Sequence, residues 1–339
     1  MDLLNTLRRI ASGLLLAAAT VFPAMAEPPQ FSLPVSCEPY EDCWPVNYVD
    51  HDPSSAWKDY RCGWHAFDGH KGFDLAVADT KAMRKGVTVL AAAAGTVLGI
   101  RDGMDDTGLT GKGGLEAVRG RECGNGVRLD HGDGWTTQYC HMRKGSIKVG
   151  KGDKVARGQP LGLVGMSGKA QFPHIHFQIA RGKTIIDPFV GLKKGADCAA
   201  GPEPLWRPEV LAKLPYRPVF PYKTGFAAAR PNTDAVHAGL YTEKALSRRA
   251  PVLILWAEFF WTAKGDRLEF RITDPDGKEI LTYDNLLKYN TARWLYYAGV
   301  KRKGLFWPTG TYRGTARVIR EKGPGGPVDM TISRTILIR

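Results

Sequence analysis

Short apolar runs separated by glycine-rich turns dominate the chain between residues 67 and 195. Segments 88–91, 95–100, 126–129 and 175–179 are each too short for a helix, rich in Val, Ile and Leu, and read as strands. Segments 123–130 and 135–140 flank His131-Gly-Asp-Gly134, the sequence of a hairpin turn. Residues 101–122 break the pattern with a long loop that carries Asp102, Asp105 and Asp106. A loop of that length without a pattern of its own points to function, and its acidic residues to a solvated tip rather than a metal site.

Six prolines between 202 and 221 then mark a stiff linker or a strap across a surface. Beyond them a second set of strands begins with the aromatic run 251–261. It continues with the alternating 267–272 ahead of the turn 274–277, and closes with 311–319 and 331–339. That spacing predicts an immunoglobulin-like β-sandwich without a catalytic constellation of its own. Trp256, Trp261, Trp294 and Trp307 are expected in core and rim packing rather than on a sugar-binding face. The division expected is an irregular, cysteine-bearing lead-in at 27–66, a catalytic domain at 67–198, a Pro-rich linker at 199–225 and an accessory sandwich at 226–339.

Composition agrees with a mainly β chain, since 39 Gly and 22 Pro among 339 residues favour turns over a helical bundle. At 43% hydrophobic and 24% charged residues the chain folds rather than staying disordered. No apolar run reaches the roughly 18–20 residues that span a bilayer, so no transmembrane segment is expected. Residues 1–26 have a basic start at Arg8 and Arg9, an apolar stretch and a small-x-small end at Ala24-Met-Ala26, the pattern of a secretory signal. The net charge of +13 is spread along the chain without a nucleic-acid motif. It suits an anionic polymer such as cell-wall glycan, or simply a solvated basic surface.

All six cysteines follow residue 26, and an even count in an exported chain reads as three disulfides. The hairpin brings Cys123 close to Cys140, and Cys37–Cys43 with Cys62–Cys198 is the pairing taken for the rest. A cysteine metal cluster has no Cys-x-x-Cys spacing to support it.

Chemistry concentrates in His70-x-x-x-Asp74, His174-x-His176 and His141. In an extended chain residues two or four apart share a face, so each cluster converges its donors on one side of a strand. Two imidazoles and a carboxylate with an open fourth position suit catalytic zinc, and two further histidines could handle the proton of its water. The same ligand types also make the facial triad of iron oxygenases. His131 reads as a turn residue, and His51, His65 and His237 as surface or core residues.

Residues 70–189 resemble the lysostaphin/LytM-type zinc metallopeptidases. The matching pieces are His70-x-Gly-x-Asp74, Val89-Leu-Ala-Ala with Gly95-Thr-Val, Gly124-Asn-Gly-Val-x-Leu-Asp-His131-Gly, and Tyr139-x-His141-Met. Val149-Gly-x-Gly-Asp-x-Val, Gly162-x-Val-Gly-x-Ser-Gly168, Pro173-His-Ile-His-Phe177 and Asp187-Pro188 follow in the family's order. The resemblance implies an antiparallel β-sheet fold of the LytM type, like a duplicated hybrid motif, with one zinc ion in an open groove. It implies His70, Asp74 and His176 as the metal ligands, with His141 and His174 as catalytic residues; spacing alone does not separate His174 from His176. Gln178 departs from the family's usual Glu, Phe172 from a small residue before Pro173, and Met142 from a Leu.

The function so implied is an exported zinc endopeptidase, periplasmic or extracellular, whose partner is bacterial peptidoglycan and not nucleic acid. It leaves open whether D-Ala to diaminopimelate cross-links, the favoured target, or glycine bridges are cut, whether 27–66 or 101–122 covers the groove, and which proteins it meets. A non-catalytic wall-binding or amidase-activating member of the fold is the alternative, but such relatives lack the zinc ligands that are present here. The His-x-x-x-Asp spacing and the exported context weigh against an iron oxygenase.

Overall fold

The computed structural model describes residues 27–323 and 326–339, so the secretory leader expected at 1–26 lies outside the described residues. The protein is mainly β, and no described helix is long and apolar enough to cross a membrane. The first part runs β1 (Cys43–Asn47), β2 (Phe73–Val77), α1 (Thr80–Lys85), β3 (Thr88–Leu90), β4 (Gly95–Arg101), α2 (Gly114–Val118), β5 (Asn125–Asp130) and β6 (Trp135–Met142). It continues with β7 (Lys154–Val155), β8 (Pro160–Leu163), β9 (His174–Arg181) and β10 (Thr184–Ile185).

Eight of these strands form one sheet in the order β1-β2-β9-β6-β5-β4-β7, with β10 also on β9, while β3 pairs β8. The residues Phe73, Phe177, Tyr139 and Val127 face one another across β2, β9, β6 and β5, and all are buried in one core. Period-two alternation therefore turns the neighbouring row, with Asp74, His176 and Cys140, to the opposite face.

The lead-in is less irregular than its sequence predicts, because Cys43–Asn47 is an edge strand on β2. Its first four residues are buried, so it shows no alternation, and Pro45 is tolerated because the strand lies at an edge. The Pro-rich segment is a strap rather than a free linker. Leu205 and Trp206 are buried in the first core, where Trp206 packs on Phe73 and Phe177 ahead of α3 (Pro208–Leu211). Disulfides join Cys37 to Cys43, Cys62 to Cys198 and Cys123 to Cys140, as expected, leaving no free cysteine among the described residues.

The second part comprises β11 (Phe220–Ala227), α4 (Thr233–Ala238), β12 (Ala245–Leu246), β13 (Val252–Thr262) and β14 (Arg267–Thr273). After these come β15 (Glu279–Leu286), β16 (Thr291–Lys301), β17 (Gly310–Arg320) and β18 (Val328–Ile338). Sheet β11-β13-β16 faces sheet β12-β18-β17-β14-β15 across Leu253, Leu255, Phe259, Phe270, Ala316 and Ile336. Trp256, Trp261 and Trp307 are buried, whereas Trp294 stays 56% exposed.

The two parts share a third apolar cluster of Trp44, Val46, Ala76, Phe220, Tyr222, Phe260 and Trp261. Polar bonds cross the same seam. The Trp261 indole N–H donates to the Val46 carbonyl at 2.6 Å, the Tyr222 hydroxyl donates to the Val77 carbonyl at 2.5 Å, and Lys223 pairs with Asp79 at 2.7 Å.

His65 sits in this seam, stacked between Tyr216 and Trp261, with Nε2–H donating to the Pro218 carbonyl at 3.0 Å. Burial pushes its pKa down to about 4, with Asp59 only partly opposing. An unfolded histidine titrates near 6.5, so between about 6.5 and 4 only the unfolded chain takes up this proton. Stability is thus lost as pH falls through that window, by up to about 3 kcal/mol. We expect Tm to drop across it less steeply for His65→Phe than for the wild type. Parallel melting curves would show that His65 carries none of the effect.

Candidate active site

Strand β9 lies between β2 and β6, so its residue His176 is the cross-strand partner of Asp74 on one side and Cys140 on the other. His70, just ahead of β2, is drawn in by its own Nδ1–H, which donates to the Tyr48 carbonyl at 2.6 Å and leaves Nε2 with its lone pair. That nitrogen lies 3.1 Å from Asp74 Oδ2 and 3.1 Å from Nδ1 of His176, which is itself 2.8 Å from Asp74 Oδ1. Two imidazole nitrogens and a carboxylate thus converge on one point. The glycine of His70-x-Gly72-x-Asp74 follows from this crowding, because a Cβ there would come within 2.6 Å of the His176 ring.

His141 reaches the same groove by a backbone irregularity. Simple alternation puts it on the core face with Tyr139. The pairing of β5 with β6 shifts between Asn125 and Val127, a bulge in which β6 has one residue more, and His141 has a φ of 62°. The imidazole consequently turns to the groove, its ring 4.6 Å from that of His174 and 5.9 Å from that of His176. Its Nδ1–H donates to the Ser167 carbonyl at 2.7 Å, and the Nδ1–H of His174 donates to the Phe172 carbonyl at 2.8 Å. Both rings therefore keep Nε2 free of a proton in their neutral form.

Charge follows the geometry. Burial opposes ionisation of Asp74, but the imidazoles of His70, His174 and His176 outweigh it and hold its carboxyl well below the usual range. Burial also disfavours a charged His70, yet Asp74 and the Tyr48 carbonyl leave its pKa raised. His141 is pushed well below the ordinary histidine value by burial and by its neighbours His174 and His176. His174 is lowered by burial, with Asp74 opposing.

Residues 68–188 match the sequence profile of peptidase family M23. The chain contains a peptidase family M23 domain. Peptidoglycan DD-endopeptidase ShyA of Vibrio cholerae is 44% identical over 63 residues, 18% of this chain and 14% of that protein. Lysostaphin of Staphylococcus simulans is 33% identical over 124 residues, 33% of this chain and 23% of its own length. Its solved catalytic domain aligns at 27% identity and a TM-score of 0.25, covering 36% of this chain and 77% of that one. The chain thus spans under a quarter of the length of either relative.

Around the M23 site Asn47 had no signal in the sequence, and Ser167 and Gly168 stood in a matched motif without a role. Asn47 pairs with Asp74 across β1 and β2, and its amide donates to Asp74 Oδ2 at 2.7 Å. Ser167 is fully buried; its hydroxyl accepts from the Asn125 N–H and donates to the Met142 carbonyl, fixing the segment whose carbonyl holds His141. Gly168 permits that approach, since with a φ of 77° its Cβ would lie 2.5 Å from the Gly124 nitrogen.

The remaining candidates have structural partners. His131 bridges the Ala94 carbonyl and the Thr137 hydroxyl, and His51 bonds Asp187. Asp102 and Asp106 accept the backbone N–H groups of residues 144, 145, 147 and 166, and Asp105 pairs with Lys144. The site opens into a groove of about 1420 Å³. Loop 101–122 reaches the rim through Leu109 and Glu122, and Gln178 lines the floor.

The Cys123–Cys140 disulfide ends one residue before His141, whose backbone N–H donates to the Cys123 carbonyl at 2.8 Å. Closing a loop of this size stabilises by about 3 kcal/mol in the chain-entropy account. We expect Cys140→Ser to lower Tm and activity together. Unchanged melting and turnover would show that the disulfide does not hold the His141 backbone.

Proposed function

We propose that the protein is an exported zinc endopeptidase that hydrolyses a peptide bond in peptidoglycan. The observation that carries this is the convergence of His70, Asp74 and His176 beside two histidines whose Nε2 atoms are free. The donor set fits zinc. Nε2 of His70, Nδ1 of His176 and a carboxylate held ionised are ligand types that the ion takes in catalytic sites, and hydrogen bonds to the Tyr48 carbonyl and from the Asn47 amide orient His70 and Asp74. Once bound there, zinc supplies a Lewis acid that acidifies water and polarises a carbonyl.

The chain's own groups handle the protons. His141, neutral in its buried position, accepts at Nε2 the proton of the water that adds to the scissile carbonyl, and returns it to the departing amine. His174, whose Nε2 is equally free and lies 3.8 Å from Asp74, accepts a hydrogen bond from the same water and orients it for attack. Export is supported by the three disulfides and peptidoglycan by the M23 relatives, while the basic charge suits an acidic polymer.

The test is digestion of purified peptidoglycan by the chain spanning 27–339, with products separated by mass and bound metal quantified. Stoichiometric zinc with new amino and carboxyl termini is the expected result, and the masses name the bond. Zinc without cleavage would make the protein a binding module of the same fold.

A further inference from the structure

The outer face of sheet β11-β13-β16 is not solvated as a sandwich's outer face usually is. Along β13, Leu255, Ala257 and Phe259 enter the sandwich core, so Trp256, Glu258 and Phe260 point the other way. Their partners on β16 are Tyr297, Leu295 and Arg293. Glu258, Phe260 and Arg293 line the same groove as His141, His174 and His176. The second half of the chain is therefore the far wall of the active-site groove.

One contact crosses from that wall to the catalytic histidines. Phe172, half-buried, supplies the carbonyl that holds His174 Nδ1–H, and its ring lies 5.0 Å from the imidazole. The same ring meets Phe260 at 5.8 Å and the Arg293 guanidinium at 5.2 Å. Arg293 is held in place. Glu258, 1% exposed, accepts from it at 2.7 and 3.0 Å and also bonds His237 of α4 at 2.6 Å, and the rings of Tyr222 and Phe260 enclose the guanidinium.

We propose that Arg293 and Phe260 clamp Phe172, so that the C-terminal sandwich positions His174 for catalysis. The inference rests on the endopeptidase reading above. It accounts for the large residue before Pro173 where the resemblance leads one to expect a small one. On an M23 domain standing alone the ring would lie on an open rim, whereas here a sheet face receives it. Arg293 is neutralised by Glu258 and acts through its planar cation on the ring rather than as a free charge for substrate. Positioning matters because misplacing a reacting group by about 1 Å costs on the order of 10²-fold.

The experiment uses the zinc-loaded chain and the variants Phe172→Ala, Phe172→Tyr and Arg293→Lys, which keeps the charge beside Glu258 so that folding is preserved. Phe172→Ala is expected to lower kcat by roughly 10- to 100-fold while KM stays within about twofold and zinc content is unchanged. Arg293→Lys moves the same way by less, and Phe172→Tyr retains activity because the ring remains. Independently of activity, the His174 Nδ1–H proton resonance, assigned by its loss in His174→Ala, is sharp in the wild type and exchange-broadened in Phe172→Ala. Full kcat together with an unchanged resonance overturns the clamp. A wild type that cuts nothing overturns the endopeptidase reading instead, and the resonance still decides the clamp.

Discussion

His141→Ala is expected to lower kcat on peptidoglycan by roughly 10²–10⁴-fold, the range for losing a positioned acid–base group, while zinc content is retained. The two parts of this result have separate causes. His141 stands outside the converging trio of His70, Asp74 and His176, so the ligand set survives its removal. What is lost is a neutral Nε2, kept free because Nδ1–H is committed to the Ser167 carbonyl and because burial disfavours the charged ring. His141→Gln, which fills the space without a titratable nitrogen, should be as slow as alanine. Metal analysis beside single-turnover digestion checks both parts. If zinc disappeared from His141→Ala, the residue would belong with the ligands, and near-normal turnover would remove it from the mechanism.

Asp74→Asn is expected to abolish both bound zinc and hydrolysis without unfolding the chain. The substitution keeps the shape but removes the charge, and the charge is what the surroundings are built around. Asp74 is 2% exposed, faces three imidazoles, and receives the Asn47 amide. Losing a partner of a ligand costs about 10–100-fold in metal affinity, and losing an anionic ligand costs more. Equilibrium dialysis of zinc against wild type and variant measures it directly. Chelation of the wild type should reproduce the inactivity of the variant, with zinc restoring only the former. Stoichiometric zinc in Asp74→Asn would show that the ion is held elsewhere.

Much of the first part of the chain was legible because its strands alternate. Ile175, Phe177 and Ile179 turn inward and His174, His176 and Gln178 outward, and a period of two states this in the sequence. The hairpin about 131–134 was legible for the same reason, and with it the Cys123–Cys140 pairing. His141 was singled out at the end of the hairpin strand, but alternation alone assigns it to the wrong face; the bulge that corrects this depends on backbone pairing with β5. Asn47 was hidden because β1 is buried along nearly its whole length and so has no alternation to read.

The sequence by itself determined which residues are candidates for chemistry, since residue type and local spacing are written along the chain: His70 with Asp74, His174 with His176, and the strands that present them. Only the tertiary structure decided which segments distant in sequence complete the site. Asn47 and Tyr48 reach it because an edge strand pairs with β2, and Arg293 reaches Phe172 because two apolar faces, each unstable in water alone, bury one another at the seam. That burial depends on surface shape and not on order along the chain, so no local pattern near Phe172 announces the partner 121 positions away.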